Sequence, residues 1–282
     1  MSQDHHLLPQ RFELKYLLPE AITGAVRDFL RCYLELDDFG VGKPNFSYPV
    51  HSLYLDTDDL KTHHATQNGD KNRFKLRLRY YDDQPGSPVF VEVKRRENDC
   101  ILKRRCPIRR DAVPLLLAGQ LPNLEQILSD EPRHYDSLQR FNFLMLQFNA
   151  RPKLHNTYLR EAWVSPENNS IRVTFDRQIH VEPFFETEAV VPMTHPIHIY
   201  SEFTVLEIKF SSRFPNWFEE LVGRFNLVRY SAAKYSMGVT MLGEGRFYES
   251  ARFRPWSGAP AAMVARDGFS KVEATIPAQQ IL

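Results

Sequence analysis

The stretch Phe74–Tyr81, FKLRLRYY, alternates strictly between basic and apolar residues. Lys75, Arg77 and Arg79 therefore fall on one face of a β-strand, and the residues between them fall on the other face. A half-buried strand with its charges in water has the same pattern, so a single strand of this kind leaves the fold open. The pattern becomes informative only if other strands carry similar faces.

The charged face recurs along the chain. Val89–Glu97, VFVEVKRRE, puts Glu92, Lys94 and Arg96 on one side, and the early segment RFELKY alternates in the same way. Similar polar faces are formed by Lys103 and Arg105, by Tyr158 and Arg160, by Arg172, Thr174 and Asp176, and by Glu207 and Lys209. Closing such strands into a barrel would turn the charges inward and leave the apolar faces to be covered by helices. The sequence thus predicts an α+β fold built on a barrel with a charged lumen.

Apolar spacing and turn residues predict the remaining elements. Helices are expected over 19–34, 114–147 and 215–225, and a helix-like turn that presents Lys234 is expected within 229–242. Three strands joined by short connections over 74–109 favour an antiparallel meander. We expect one domain over residues 1–242 and a partly mobile tail over 243–282, where periodicity is lost.

Composition excludes several classes of protein. A formal net charge of +1 opposes non-specific binding to nucleic acid, so the positive field should be local. No segment resembles a signal peptide or a membrane span, and three cysteines without metal-ligand spacing suggest a reducing compartment, so a cytoplasmic location is expected. The pairs His5–His6 and His63–His64 are interpreted as surface histidines, because neither has a third ligand at motif spacing.

Several arginines and lysines around a narrow lumen suit phosphate oxygens, which guanidinium groups bind through paired, charge-assisted hydrogen bonds. The carboxylates Glu13, Glu92 and Glu207 have two interpretations. They either balance the neighbouring cations, or they hold a divalent cation together with substrate phosphates. The sequence has no glycine-rich phosphate loop, so side chains rather than backbone amides would hold the phosphates.

Seven motifs in order resemble those of the VTC domain: RFELKY, KLRLRYY, VEVKRR, YLRE, IRVTFD, LEIKF and SAAKYSMG. This family is the polyphosphate polymerase branch of the triphosphate tunnel metalloenzymes, related to the CYTH superfamily. The resemblance spans roughly residues 11–242 and is closest to a stand-alone bacterial type. Where the superfamily has ExExK, this chain has Arg11, Glu13 and Lys15, and the arginine resembles the polymerase branch rather than the hydrolase branch.

The resemblance implies a closed tunnel of eight antiparallel strands, with helices packed outside it. In this tunnel the γ-phosphoryl group of ATP would pass to a growing polyphosphate chain, assisted by Mn²⁺ or Mg²⁺. The expected catalytic residues are Arg77, Arg79, Arg160 and Arg172. Expected substrate-binding residues are Arg11, Lys15, Lys75, Lys94, Lys103, Arg105, Tyr158, Lys209 and Lys234, of which Lys75, Lys103, Arg105 and Lys209, with Arg96, could form a track for the polymer. Glu207 is the expected metal ligand, with Glu13 and Glu92 as further candidates.

Two other functions remain open at this stage. The same residues would serve a tunnel hydrolase that acts on triphosphate or a nucleoside triphosphate, and they would also serve a non-catalytic polyphosphate-binding protein. The expected partners are ATP and polyphosphate, without nucleic acid and without a membrane segment. The sequence leaves the nucleotide preference, the length of the polymer and the oligomeric state open.

Overall fold

The computed structural model describes residues 11–98, 100–166, 170–211 and 213–248, and within these ranges it contains ten β-strands and six α-helices. The strands are β1 (Arg11–Pro19), β2 (Glu35–Leu36), β3 (Ser47–Asp56), β4 (Asn72–Tyr80), β5 (Val89–Glu97), β6 (Cys100–Ile108), β7 (Arg151–Val164), β8 (Ile171–Pro183), β9 (Ile197–Ile199) and β10 (Phe203–Ser211). The helices are α1 (Glu20–Leu30), α2 (Lys61–Gln67), α3 (Val113–Leu117), α4 (Pro132–Gln147), α5 (Phe218–Arg224) and α6 (Lys234–Leu242). The predicted helix over 114–147 is therefore two helices, α3 and α4, with an irregular connection between them, and the helix α2 was not predicted.

All ten strands belong to one antiparallel sheet. Its order is β1-β10-β8-β7-β3-β4-β5-β6, with β2 beside β7 and β9 beside β8. The register places Lys75 opposite Lys94, and Lys15 opposite Glu207. Because directly opposed residues point to the same side of a sheet, the charged faces of neighbouring strands merge into one surface.

The predicted closed barrel of eight strands is wrong. Eight strands do form the main path of the sheet, but within the described residues no backbone pairing joins its two ends, β1 and β6. At β1 the free edge is already used by the segment that precedes α6. There the amide of Tyr230 donates to the carbonyl oxygen of Lys15 at 2.8 Å, and Tyr16 forms a bridge with Arg229.

The other end of the sheet is also unsuited to closure. Edge strand β6 carries Lys103, Arg104 and Arg105 in sequence, followed by Pro107, which has no amide hydrogen to donate. Consecutive cations and proline are features that keep edge strands from pairing. The amide of Leu128 donates to the carbonyl oxygen of Pro107 at 3.0 Å, so a later segment covers part of this edge. The charged lumen is therefore formed by a curled, open sheet.

Helices cover the apolar face of the sheet in two places. One cluster packs α3 and α4 on β4, β5 and β6, and it fully buries Leu76, Leu78 and Phe141. A second packs α1 and α5 on β1, β8 and β10 around Val173 and Leu206. Alternation directs the strand side chains among these to one face of the sheet, and the burial of each side chain contributes roughly 1.5–3 kcal/mol.

Helix α6 differs from the expectation that all helices pack outside, because it lies on the polar face of the sheet. The ring of Tyr235 stacks on that of Tyr54 in β3, with centroids 5.0 Å apart. A Cβ atom on Gly238 would meet Leu154 Cδ1 at 3.0 Å and Val181 Cγ1 at 3.1 Å, so glycine permits the close approach of this helix. The helix therefore closes one end of the curled sheet.

The described chain continues past α6 through a 3₁₀ turn, Glu244–Arg246, to Tyr248. Phe247 is fully buried, and its carbonyl oxygen accepts from Lys153 Nζ at 3.1 Å. The mobility predicted for the tail lies outside the described residues beyond 248. None of the helices described is long and apolar enough to cross a membrane.

A buried carboxylate, Glu161 in β7, joins several elements. It accepts from Arg27 of α1 at 2.6 and 2.8 Å, from Arg177 of β8 at 2.6 Å, and from the indole of Trp163 at 2.7 Å. Since Glu161 is fully buried, its removal leaves two guanidinium groups without their partner.

We expect Glu161→Gln to lower the free energy of unfolding by about 3–5 kcal/mol, measured by urea denaturation. The matched control is Glu35→Gln, at an exposed carboxylate, which should change the free energy of unfolding by about 0.5 kcal/mol or less. Equal effects of the two substitutions would contradict the role given to Glu161.

Candidate functional site

A cavity of about 530 Å³ lies on the polar face of the curled sheet, next to the start of α6. Among the described residues, its lining contains eleven lysine and arginine side chains and two carboxylates. The basic residues are Lys15, Arg73, Lys75, Arg77, Arg79, Lys94, Arg96, Arg160, Lys209, Arg229 and Lys234, and the acids are Glu13 and Glu207. This excess of positive charge is the main electrostatic feature of the site.

Strand β4 supplies a row of four cations to this cavity: Arg73, Lys75, Arg77 and Arg79. The alternation of the strand directs all four to the same side, and at roughly 3.3 Å per residue the row spans about 20 Å. The motif that indicated the fold therefore also forms one wall of the cavity.

Tyrosines orient two arginines of this row. Arg77 Nη1 donates to Tyr54 Oη at 3.3 Å, and its Nε donates to the buried carboxylate of Glu92 at 2.6 Å. Arg79 Nη2 donates to Tyr158 Oη at 3.0 Å. Arg79 is only 7% exposed, and its Nε has no hydrogen-bond partner among the described residues. A buried donor without a partner is costly, and a phosphate oxygen in the cavity could satisfy it.

The two carboxylates of the lining lie between three lysines. Lys15 Nζ is 3.1 Å from Glu13 and 3.0 Å from Glu207, so its ammonium bridges both acids. Lys94 Nζ contacts both oxygens of Glu13 at 3.0 Å, and Lys209 Nζ lies 2.6 Å from Glu207. The contact between Lys94 and Glu13 crosses from β5, the neighbour of edge strand β6, to edge strand β1, so it spans the opening of the sheet by side chains.

Helix α6 contributes Lys234 at its first residue. Lys234 Nζ lies 2.6 Å from Asp176 Oδ2, and Arg160 binds the same carboxylate through two hydrogen bonds of 2.7 and 2.8 Å. Asp176 is fully buried, whereas Arg160 and Lys234 are each 9% exposed and line the cavity. Asp176 thus fixes two cations whose remaining N–H groups are available to a ligand.

Neighbouring charges shift the pKa values of several groups. Burial and Glu207 act to raise the pKa of Glu13, but Lys15, Lys94 and Lys209 outweigh them and lower it to about 2. Burial lowers the pKa of Lys94 to about 8, despite its contact with Glu13. Burial, and then the charges of Lys15, Lys94 and Arg73, lower the pKa of Lys75 to about 7.

Glu13 and Glu207, which Lys15 bridges, fit a divalent cation that is held partly by a substrate. Mg²⁺ and Mn²⁺ favour carboxylate and phosphate oxygens, and Mg²⁺ commonly binds through one or two carboxylates together with substrate phosphates. Glu13 and Glu207 face the cavity and remain ionised, since nearby lysines lower the pKa of each. The described residues offer no third carboxylate in the lining, so substrate oxygens and water would complete the shell.

The structure brings most of the predicted site residues to the cavity, but not all of them. Glu92 is fully buried behind Arg77, where it forms a cluster with Lys103 at 2.7 Å and Arg105 at 3.6 Å beside edge strand β6. Arg172 lies 2.7 Å from Asp37. These four predicted residues, Glu92, Lys103, Arg105 and Arg172, are not in the lining. The side chain of Arg11 is not among those that the structure describes.

Sequence reasoning did not assign a site role to several residues that line the cavity. Arg73 continues the row on β4 by one further alternation, which extending the motif to Asn72 would have found. Tyr54 and Tyr235 gave no such signal, because they look like core tyrosines and meet only when α6 packs on the sheet. Arg229 and Ser231 also line the cavity, and they lie in the segment that pairs with the edge of β1.

The low pKa of Lys75 predicts that binding of tripolyphosphate is coupled to proton uptake. A bound anion favours the charged form and raises this pKa above 7, so at pH 8 the complex should take up a proton, and affinity should fall as pH rises from 7 to 9. Calorimetry in buffers of different ionisation enthalpy measures the uptake. Lys75→Met should reduce the uptake, because it removes the group with the lower pKa, while Lys94, with a pKa of about 8, still contributes in the variant. Equal uptake by the two proteins would contradict this assignment.

Solved structures with low sequence identity resemble the chain. One is a protein from Vibrio parahaemolyticus provisionally named an adenylate cyclase, with 13% identity, 81% of this chain and 97% of that chain covered, and a TM-score of 0.41. Another, the PH1819 protein from Pyrococcus horikoshii, has 12% identity, coverage of 83% and 99%, and a TM-score of 0.41. A third, from Bacillus halodurans and also provisionally named an adenylate cyclase, has 13% identity, coverage of 79% and 94%, and a TM-score of 0.43.

No protein with a curated description matches this sequence. The family model described as VTC domain matches residues 10–243, which is most of the chain and includes every residue of the cavity lining. The resemblance seen in the seven motifs is confirmed, and the chain belongs to the VTC domain family.

Proposed function

We propose that the protein is a polyphosphate polymerase, which transfers the γ-phosphoryl group of ATP to the end of a growing polyphosphate chain. Membership of the VTC family supports a function on triphosphate or polyphosphate. The observation that carries the finer proposal is the row of four cations on β4, which faces further lysines and arginines across the cavity.

The charge balance of the lining favours a ligand with several negative charges. Eleven basic side chains stand against two carboxylates, and Asp176 and Glu92 behind the lining compensate only part of the excess. Guanidinium groups match phosphate oxygens in geometry, and lysines add mobile point charges. A monoanion would leave most of these cations uncompensated.

The length of the cation row favours a polymer over a single triphosphate. Arg73 and Arg96 lie opposite each other in the register of β4 and β5, two residues beyond Lys75 and Lys94. The row from Arg73 to Arg79 spans about 20 Å, which is longer than one triphosphate group. A second anion could therefore lie in line with a bound nucleotide.

Phosphoryl transfer requires in-line positioning and neutralisation of the charge on the equatorial oxygens. We assign this role to Arg77, Arg79 and Arg160, whose orientations are fixed by Tyr54, by Tyr158 and by Asp176. The bond between the γ-phosphorus and the bridging oxygen breaks as ADP leaves. A terminal oxygen of polyphosphate forms the new bond, and this oxygen is already anionic, so the site needs no general base.

A bound Mn²⁺ or Mg²⁺ would supply charge neutralisation on the phosphate oxygens. Glu207 and Glu13 are the residues that would hold it, with Lys15 keeping the two carboxylates together. Lys94, Lys209 and Lys234 would bind the remaining phosphate oxygens. Arg172, Lys103 and Arg105 are left out of this assignment because they form ion pairs outside the lining.

Glu207→Gln should raise the Mn²⁺ concentration required for turnover. It should also reduce turnover by more than about 10–100-fold, which is the loss expected when only an outer-shell partner of a metal is removed. The measurement is ADP release against Mn²⁺ concentration, at a temperature where thermal melts show the variant folded. The exposed Glu202→Gln is the matched control and should behave as the unaltered protein. An unchanged Mn²⁺ requirement would show that Glu207 only balances the charges of the neighbouring lysines.

The polymerase predicts long polyphosphate and ADP as products from ATP and Mn²⁺, with a lag that short polyphosphate primers shorten. Gel electrophoresis of the products and nucleotide analysis measure both. Orthophosphate without polymer at every primer concentration would instead identify a hydrolase, and tight binding without turnover would identify a binding protein.

The route of the polymer is tested by two double variants. Arg73→Ala with Arg96→Ala should shorten the product more than it weakens ATP binding, because both side chains lie at the far end of the row. Lys103→Ala with Arg105→Ala removes two basic side chains from the cluster around Glu92 and serves as the control. If the second pair shortens the product and the first does not, the polymer follows β6 instead.

A further inference from the structure

Two histidines and a carboxylate converge outside the residues that line the cavity. His63 and His64 are consecutive in α2, and Glu244 lies in the 3₁₀ turn after α6. His63 Nε2 is 3.1 Å from Glu244 Oε1, and His64 Nε2 is 3.8 Å from Glu244 Oε2. One ligand atom from each of the three residues lies within 4.8 Å of the others. Sequence spacing could not reveal this group, because 181 residues separate His63 from Glu244.

The burial of His63 differs from the expectation of a surface pair. His63 has no exposed surface, while the side chains of His64 and Glu244 are 43% and 40% exposed. A metal-binding imidazole uses one ring nitrogen as an acceptor, and the other ring nitrogen carries the proton.

The second ring nitrogen of His63 also has a fixed partner. Its Nδ1 lies 3.0 Å from Oγ of Ser236, a buried residue of α6. Histidine ligands of metals commonly donate their other N–H to such a partner, which sets the tautomer and the orientation of the ring. If Nδ1–H donates to Ser236, the lone pair of Nε2 faces a carboxylate oxygen at 3.1 Å, and a cation between them would relieve this repulsion.

We propose that His63, His64 and Glu244 form a zinc site, with Ser236 positioning His63. Two imidazoles and one carboxylate are a ligand set that Zn²⁺ accepts, with water in the fourth position. Bond lengths of about 2.0–2.2 Å require only small side-chain movements to bring three ligand atoms onto one ion. The exposed sides of His64 and Glu244 provide access from solvent.

The ion would tie together elements at the closed end of the cavity. It joins α2, which contributes Thr66 to the lining, to the turn that follows α6. Ser236 connects the same site to α6, two residues after Lys234. Since the ion binds the folded protein, its expected effect is a higher melting temperature that depends on the free Zn²⁺ concentration. This inference does not depend on the proposed polymerase activity.

The test uses the full chain with His5 and His6 replaced by alanine, which removes a competing pair of histidines. Excess Mg²⁺ is included to compete with Zn²⁺ for the carboxylates of the cavity. Titration calorimetry with Zn²⁺ should give one site per chain, and Co²⁺ in its place should give the visible absorption of a four-coordinate ion. Glu244→Gln and His64→Ala should abolish both signals, whereas the exposed Glu202→Gln should retain them.

Ser236→Ala gives an independent readout. It removes one buried hydroxyl and leaves all three ligands, so zinc affinity should fall by about 10–100-fold without loss of stoichiometry. Melting temperatures in a chelator show whether each variant folds without metal. Absence of a stoichiometric zinc site, or a site that survives Glu244→Gln and His64→Ala, would overturn the proposal. In that case His63 donates Nε2–H to Glu244 directly, without a metal.

Discussion

Repulsion among closely spaced cations is the constraint on which the arrangement of this protein depends. Eleven basic side chains surround one cavity, and charges of one sign at such distances oppose burial. The fold offsets this with a few buried carboxylates, each shared by two or more cations. Glu207 contacts Lys15 and Lys209, and Asp176 contacts Arg160 and Lys234. These carboxylates hold the cations in place, but the net charge of the lining remains positive, and a polyanion can bind to this excess positive charge.

The same ion pairs also connect parts of the sheet that backbone hydrogen bonds leave apart. Lys94 reaches from β5 to Glu13 on β1, across the opening between the two ends of the sheet. A salt bridge of this kind tolerates small changes in the separation of the strands, whereas a backbone ladder fixes it near 4.8 Å. Side-chain ion pairs thus span the open edge beside the charged lumen, while the helices on the apolar face supply the core.

Helix α6 links the cavity to the rest of the molecule. Its first residue contacts Asp176, its second stacks on Tyr54 and donates to Asp56, and its third meets His63. Asp56 also accepts from the amides of Thr62 and His63 at the start of α2. The two helices therefore share one buried carboxylate.

The sequence by itself determined the alternation of β4, β5 and β10, since period two follows from the geometry of any strand. It also indicated that charged faces recur on several strands, a pattern that suits phosphate oxygens because many of these residues are arginines. Only the tertiary structure decided that the sheet stays open. Closure depends on which backbone edge is already occupied, and Tyr230, far from Lys15 in sequence, occupies it. It also decided that Arg172 pairs with Asp37 and that Glu244 meets His63, since such contacts arise only when distant segments pack.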